Sequence, residues 1–522
     1  MKIEGASLEE PAPPLAGLLQ AGLSADPDAI AMVSAERQMT WRELDGESGS
    51  LASAYMGLGL QRGDRFASLM PNRIALVVHY LACFKAGLVV TPLNYRYTFR
   101  EIDHALEVSG ASVILAHAER EGDLADSSLA PGLPAGTIFY GAEPGSGTVR
   151  FEDLVESEAG APPAIDPAPT DPAAIFFTSG STGPAKGVTH SNQSLRWMIA
   201  SARAAFDLTS EDRFLPGSSM SHIGSFLWAL TTLEAGGKVI VARNYDSHEI
   251  LPLLREHQPT VLAMIPAALI ALIRDHDLEP VDFASLRICR SGADKVSTEL
   301  LTEFAEKAGF PIDEGYGMTE VGLATLNPPS GVIKQGSIGP PIAGYTIEIR
   351  DDEGNSLEAG AVGRVWIRTR SLMEGYWQAA DATEEVVRDG WIDSGDLART
   401  DEDGYLWFFG RKKQVIVHDG SNISPLEVEG ALDEHPAVDL AGVVGIHDEV
   451  HGETVRAYVT LRDDQPRPSA ADLIVFCRER IGYKAPEEVI FLDEMPLNPT
   501  GKIDRVGLKA MAEDHLHPHL SD

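Results

Sequence analysis

Three apolar runs, GKVIVA from Gly237, TVLAMI from Thr260 and LRICR from Leu286, begin 23 and 26 residues apart. Each is short, and helices are expected between or after them from about Ser247, Pro266 and Ser297. One strand, one crossover helix and two loops fill that spacing, so the runs read as successive βα units of a mainly parallel sheet. A similar series stands earlier. Thr40 followed by Glu43 is a capping box opening a helix, and RFASLM, LVVTPL and SVILA are strands. Between them NRIALVVHYLACFKAG and TFREIDHALEVSG are helices, the second capped by Thr98 and Glu101. Two α/β layers of similar plan are therefore predicted within the first 340 residues or so.

Beyond that the pattern changes. GYTIEIRDDEGNSLEAGAVGRVWIRT alternates apolar and polar residues around Gly- and Asp-rich turns, which predicts an antiparallel, barrel-like β region. After GRKKQ the strands AGVVGI and VRAYVTL alternate with helices PLEVEGALDEH and SAADLIVFCRERI, about 110 residues in all and enough for a small domain. The expected fold is α/β: a large N-terminal domain, residues 1–410, of two βα-layered subdomains plus the β-barrel-like region, and a small α+β C-terminal domain, residues 411–522. Residues 157–175, rich in Ala, Pro and Asp, read as an extended exposed connection. No repeat of solenoid period occurs.

Charge excludes several functions. With 42 basic and 78 acidic residues among 522 the formal charge is −36, so nucleic-acid backbones and anionic membrane surfaces are poor partners. Cys83, Cys289 and Cys477 show neither CxxC spacing nor a histidine cluster, which argues against disulfides and zinc. MKIEGASLEEPAPP lacks the apolar core of a signal peptide, and TVLAMIPAALIALI is too short to span a bilayer and contains Pro266. A soluble, reduced, cytoplasmic protein without an integral membrane segment is expected; a homodimer is left open.

The strongest chemical signal follows the strand Ala173–Phe177. Thr178-Ser179-Gly180-Ser181-Thr182-Gly183-Pro184-Ala185-Lys186-Gly187 combines three glycines, four hydroxyls and a lysine. Glycines let backbone N–H groups approach an anion, and hydroxyls and ammonium donate to phosphate. It is not a Walker A loop, because Ala185-Lys186-Gly187 stands where Gly-Lys-Ser/Thr is required. A flexible surface loop is the competing reading of such composition.

This loop resembles the phosphate loop of the adenylate-forming enzymes, which include acyl-CoA synthetases, adenylation domains of peptide synthetases and firefly luciferase. Four further motifs follow in the family's order: Glu314-Gly315-Tyr316-Gly317-Met318-Thr319-Glu320, Trp391-Ile392-Asp393-Ser394-Gly395-Asp396, Gly410-Arg411-Lys412-Lys413 and Pro499-Thr500-Gly501-Lys502. The resemblance covers nearly the whole chain. It implies a mobile C-terminal domain turning at Lys413 and an ATP site. In that site Thr178, Ser179, Gly180, Ser181, Thr182, Gly183 and Lys186 meet the β- and γ-phosphates, and Thr319 meets the α-phosphate. Glu320 would hold Mg²⁺, Tyr316 would stack on adenine beside Gly292, Ala293, Glu314 and Gly315, and Asp396 would accept from the ribose hydroxyls. Arg411 would steady ribose or phosphate, and Lys502 would reach between the α-phosphate and the acyl oxygen. His222, in SSMSHIGSF, matches a family histidine near the acyl carboxylate; Gly224, Trp228, Gly292, Gly315, Gly317 and Val321–Ala324 would line the acyl pocket. The competing readings are a core aromatic for Tyr316, a mere turn for Asp396, and a solvated tail residue for Lys502.

Departures from the pattern are Glu314 for Gln, Ser394 for Thr, Asp294-Lys295 after Ser-Gly-Ala, and VHDGSNISPLEVE, where Asp419 and Ser421 replace a glycine and a glutamate. The resemblance implies an ATP-dependent carboxylic acid:CoA ligase, forming acyl-AMP and pyrophosphate and then acyl-CoA and AMP, with ATP, Mg²⁺ and coenzyme A required. Alternatives are a stand-alone adenylation enzyme loading a carrier protein and a non-catalytic nucleotide-binding relative. Asp419 bears on the first of these, because a carboxylate could hinder the CoA arm there. Trp228 would shorten the pocket and favour an aryl or small-to-medium acid.

Overall fold

The computed structural model describes residues 1–145, 147–157, 165, 167–178, 185–275, 277–292, 296, 298–418, 421–448, 452–463, 465–498 and 502–516. Ser179, Gly180, Ser181, Thr182, Gly183, Ala293, Asp294, Lys295, Asp419 and Pro499–Gly501 lie outside the described residues.

Local chemistry places the helices where the caps stand. Thr40 N donates to Glu43 Oε2 at 2.8 Å and Glu43 N to Thr40 Oγ1 at 3.2 Å, opening the helix Trp41–Gly57. Thr98 N donates to Glu101 Oε2 at 2.7 Å at the start of Phe99–Ser109. The apolar helix Ile74–Ala86 ends at Gly87, whose φ of +68° is the left-handed conformation glycine adopts most readily.

Two eight-stranded sheets form the body. In the first, Val89–Pro92, Arg65–Leu69, Val113–His117, Thr137–Tyr140 and Val149–Arg150 run parallel, and Pro172–Phe177 joins them, followed by antiparallel Gly187–Ser191 and Gly375–Tyr376. In the second, Asp313–Met318, Ile288–Ser291, Val261–Met264, Arg213–Gly217, Lys238–Val241 and Ile30–Ser34 run parallel between antiparallel edges Gly322–Leu326 and Gln38–Thr40. The apolar runs from Gly237, Thr260 and Leu286 are strands of this sheet. An antiparallel six-stranded sheet follows, built on Tyr345–Arg350, Gly363–Thr369, Trp391–Thr400 and Leu406–Arg411. Lys2–Glu4 adds to its edge.

The last segment has its own five-stranded sheet and its own apolar cluster, with Ile416, Ile423, Val428, Leu432, Val443, Val455 and Leu473 buried together. Helices Pro425–Asp433, Ala470–Ile481 and Arg505–Leu516 pack on it; the third was not anticipated. Several strands were also missed, among them Arg213–Gly217 and Ile30–Ser34. Arg213–Gly217 contains Pro216, which ordinarily demotes a run from strand. Its pairing with Lys238–Val241 stops at Phe214, so beyond that point Pro216 leaves no ladder bond to that neighbour unmade. Ile30–Ser34 pairs with Lys238–Val241, more than 200 residues away, which no local pattern announces. All three cysteines are buried and unbridged. Among the described residues no helix is long and apolar enough to cross a membrane.

Candidate active site

The site opens where the two large sheets meet the antiparallel one. Strand Asp313–Met318 returns through Val321 as Gly322–Leu326, and that hairpin crowds its own glycines. A Cβ on Gly315 would lie 2.7 Å from Thr325 O, and one on Gly317 would lie 2.3 Å from Gly322 O. Strand packing by itself therefore requires both glycines. Between them Tyr316 projects its hydroxyl to Asp396 Oδ2 at 2.6 Å, and its ring stacks on Phe408 at 5.9 Å between centroids. Asp396 is buried, and its Oδ1 has no hydrogen-bond partner, although Arg411 Nε stands 3.4 Å away. Burial raises the Asp396 carboxyl, against the opposing pull of Arg411, the Tyr316 hydrogen bond and Lys502. Ser394 Oγ accepts from Asp396 N at 3.1 Å and donates to Val365 O at 2.8 Å, so serine supplies the turn's hydroxyl. Glu314 Oε1 accepts from Gly336 N at 3.0 Å. An orphaned carboxylate oxygen in a buried polar cluster fits a ribose hydroxyl.

A second cluster lies at the hairpin turn. Glu320 is buried, and its Oε1 accepts from the Tyr376 hydroxyl at 2.8 Å; burial raises its carboxyl and that bond lowers it. The Lys186 ammonium sits 4.8 Å from the centroid of the Tyr376 ring, so the phosphate-loop lysine and the carboxylate share one tyrosine. Thr178 N donates to Lys186 O at 3.2 Å, closing the base of the loop. His190 fixes the turn itself: its Nε2 meets Thr319 O at 2.8 Å, and burial pushes it down to about 4, so it is neutral and donates there. Among the described residues no three His, Cys, Asp or Glu side chains cluster as a metal cage. A lone desolvated carboxylate fits Mg²⁺, an ion that takes most of its ligands from phosphate and water.

Lys502 reaches this site from the C-terminal segment. Its N–H donates to Asn498 Oδ1 at 3.0 Å, and Asn498 N donates to Lys502 O at 2.7 Å, a turn that presents the side chain. The ammonium charge bears on both His222 and Asp396. His222, at the start of helix Ile223–Glu234, is pushed down to about 4 by burial first and Lys502 second. The Asn94 amide Nδ2 lies 3.4 Å from its Nε2, leaving that nitrogen as acceptor. Two residues on, a Cβ at Gly224 would sit 3.6 Å from Trp228 Nε1.

Comparison with known proteins is decisive here. Residues 19–377 match the model of the AMP-binding enzyme family, and residues 427–502 match the AMP-binding enzyme C-terminal domain. The chain belongs to the AMP-binding enzymes. It is 33% identical to a feruloyl-CoA synthase of an Amycolatopsis species over 91% of this chain and 94% of that one. It is 32% identical to a long-chain-fatty-acid–CoA ligase of Yersinia pestis over 92% of this chain and 91% of the other. Among solved structures, ATP-bound MatB from Rhodopseudomonas palustris superposes with a TM-score of 0.87 at 28% identity, covering 96% of this chain and 99% of that one.

In this AMP-binding enzyme Tyr316 and Arg411 meet at Asp396, the Lys502 charge bears on Asp396 and His222, and Lys186 and Glu320 meet at Tyr376. Lys413 stands apart, exposed in the turn Lys412–Gln414 after the last strand of the antiparallel sheet. Sequence reasoning missed Tyr376, His190, Asn94 and Arg290. The first three carry no motif of their own. Arg290 did carry a signal, since a charged residue inside the apolar strand LRICR is costly to bury without a task.

Proposed function

We propose that this AMP-binding enzyme couples a carboxylic acid to coenzyme A, using ATP, through an acyl adenylate. The acid's carboxylate oxygen attacks the α-phosphorus of ATP and pyrophosphate leaves; the CoA sulfur then attacks the acyl carbon and AMP leaves. Two anions meet in the first step, so the groups that count are cations and donors aimed at the forming bond. Lys502 is assigned the bridge between α-phosphate and acyl oxygen. Thr319, held through its carbonyl by His190, faces the α-phosphate, and Lys186 serves the outer phosphates. Asp396, with Oδ1 unmatched, takes the ribose, and Tyr316 and Arg411 keep its carboxylate in place. Neutral His222 lies at the carboxylate end. Mg²⁺, which Glu320 would hold, would neutralise phosphate charge when bound.

The observation that carries this reading is that one C-terminal ammonium bears at once on His222 and on Asp396, the acid end and the ribose end. A nucleotide store would not need a lysine there. The test is pyrophosphate release across acids of differing length and aromaticity, with and without CoA. Acid-dependent release followed by CoA-dependent thioester is expected. Release without thioester would favour a carrier protein as acceptor, and no release with any acid would remove the ligase reading.

A further inference from the structure

Arg290 is unlike every other cation of the site. It lies on strand Ile288–Ser291, where its neighbour Cys289 is wholly buried in the core beneath the sheet. The guanidinium projects to the opposite side and lies 5.1 Å from the centroid of the buried Trp228 ring. A Cβ on Gly315 would lie 3.4 Å from Arg290 Nε, and one on Gly292 would lie 3.5 Å from its Nη2. Trp228 in turn abuts Gly224. Arg290 thus borders three of the residues assigned to the acyl end, Trp228, Gly292 and Gly315, and meets the fourth, Gly224, only through Trp228.

Among the described residues no hydrogen bond or ion pair accounts for its donors. Arg290 Nε is buried without a hydrogen-bond partner, and no ion pair of the guanidinium occurs among the described residues. Asp313, its register partner on the next strand, influences it only at a distance, and Asp313 Oδ1 is itself unmatched. Yet the arginine keeps partial exposure where Trp228, Gly292 and Gly315 beside it are buried. A guanidinium offers five N–H donors and accepts nothing. Left unmatched in a desolvated pocket such donors are unfavourable, and a ligand that satisfies them is selected over one that does not.

Helix geometry sets where that ligand must present its acceptor. Trp228 is four residues beyond Gly224 and six beyond His222, so Arg290 lies roughly 6–9 Å of helix rise below the carboxylate end. We propose that the acid substrate carries an oxygen acceptor at its far end, a second carboxylate or a para-oxygen on a ring, and that Arg290 receives it while Trp228 walls the chain between. Long unsubstituted alkyl chains are rejected, because their end would leave Arg290 dry and unpaired. This rests on the ligase reading above and names its substrate class.

The experiment is acid-dependent ATP–pyrophosphate exchange on matched pairs: 4-hydroxycinnamate against cinnamate, 4-hydroxybenzoate against benzoate, adipate against hexanoate, with dodecanoate as the long apolar arm. The oxygenated member of at least one pair should lead its partner by about 10-fold or more in kcat/KM, mostly through KM, as expected for a hydrogen bond to a charged donor. The pair that responds tells a phenolic oxygen from a second carboxylate. Arg290→Leu should erase that lead and leave the KM for ATP unchanged, while Arg290→Lys should keep part of it. Preference for dodecanoate or the apolar partners in the wild type overturns the proposal. So does a lead that survives Arg290→Leu, or a uniform loss on all acids with the ratio kept, which would make Arg290 a packing residue. Exchange with no acid at all would instead sink the ligase reading.

Discussion

At the ribose end, Tyr316, Asp396 and Arg411 come from three strands and hold one another at 2.6 and 3.4 Å, whereas at the acyl end Arg290 lies over Trp228 with its Nε unmatched. The ribose end keeps a single oxygen in reserve, Asp396 Oδ1, and restrains the rest of the carboxylate through its neighbours. The acyl end leaves a whole guanidinium to be matched from outside. One partner of the reaction is always ATP, so the groups that meet it can be locked in advance and lose little entropy on binding. The other partner is the variable acid, and there the donors stay open for its far end to satisfy. Lys502 stands between the two ends and belongs to neither.

That contrast breaks most visibly at Lys502. Lys502 is the cation whose charge bears on both His222 and Asp396, so Lys502→Ala should lower acid-dependent ATP–pyrophosphate exchange by about 10²-fold or more, ~2.7 kcal/mol of transition-state stabilisation. The loss should be the same for every acid that supports exchange, because the lysine meets the carboxylate and not the far end. Exchange near the wild-type rate would take Lys502 out of the first step. A loss confined to some acids would move it to the acyl end.

The two ends also differed in how far they could be read before folding. The ribose residues stand in contiguous motifs, Glu314–Glu320 and Trp391–Asp396, where glycines and acids in a fixed order are informative by themselves. Tyr376 touches Glu320 from 56 residues away, and Asn94 meets His222 across 128, so only the fold creates those pairs. The parallel strands Val261–Met264 and Ile288–Ser291 were legible because burial on both faces writes an apolar run. Arg213–Gly217 was not, since Pro216 imitates a break, and Ile30–Ser34 was not, since its partner is distant in sequence. Arg290 was visible but was absorbed into the strand pattern; its meaning needed Trp228 and Gly315 beside it.

A smaller effect tests the locked end. Asp396→Ala removes the acceptor for the ribose, and hydrogen bonds to a charged group are worth about 1.5–3 kcal/mol each. The KM for ATP should rise roughly 10- to 150-fold with kcat less affected. A deoxyribose analogue should show a similar defect on the wild type and little further loss on Asp396→Ala. Additive losses would mean that the ribose binds elsewhere. Tyr316→Phe should give only about 1 kcal/mol, since it frees one restraint and leaves the acceptor in place.

The smallest effect concerns the open end, and it appears in stability rather than rate. Burial raises the Asp313 carboxyl to about 7, with Arg290 and then Arg287 pulling it down. The unfolded chain releases this proton near the ordinary value of 3.8, so between about pH 4 and pH 7 the folded state holds a proton that the unfolded state has lost. Stability contributed by this residue therefore falls as pH rises through that window and is fully lost above it. Asp313→Asn removes the titration. Its thermal midpoint relative to the wild type should climb from pH 4 to pH 7 and level off beyond, the gain reaching about 1 kcal/mol because the amide is itself left partly unmatched. In an Arg290→Leu background the cation that most lowers Asp313 is gone, so the same comparison should widen and shift to higher pH. A gap that narrows on losing Arg290, or one that does not change with pH, would show that the two side chains do not share the desolvated pocket on which the contrast between the ends depends.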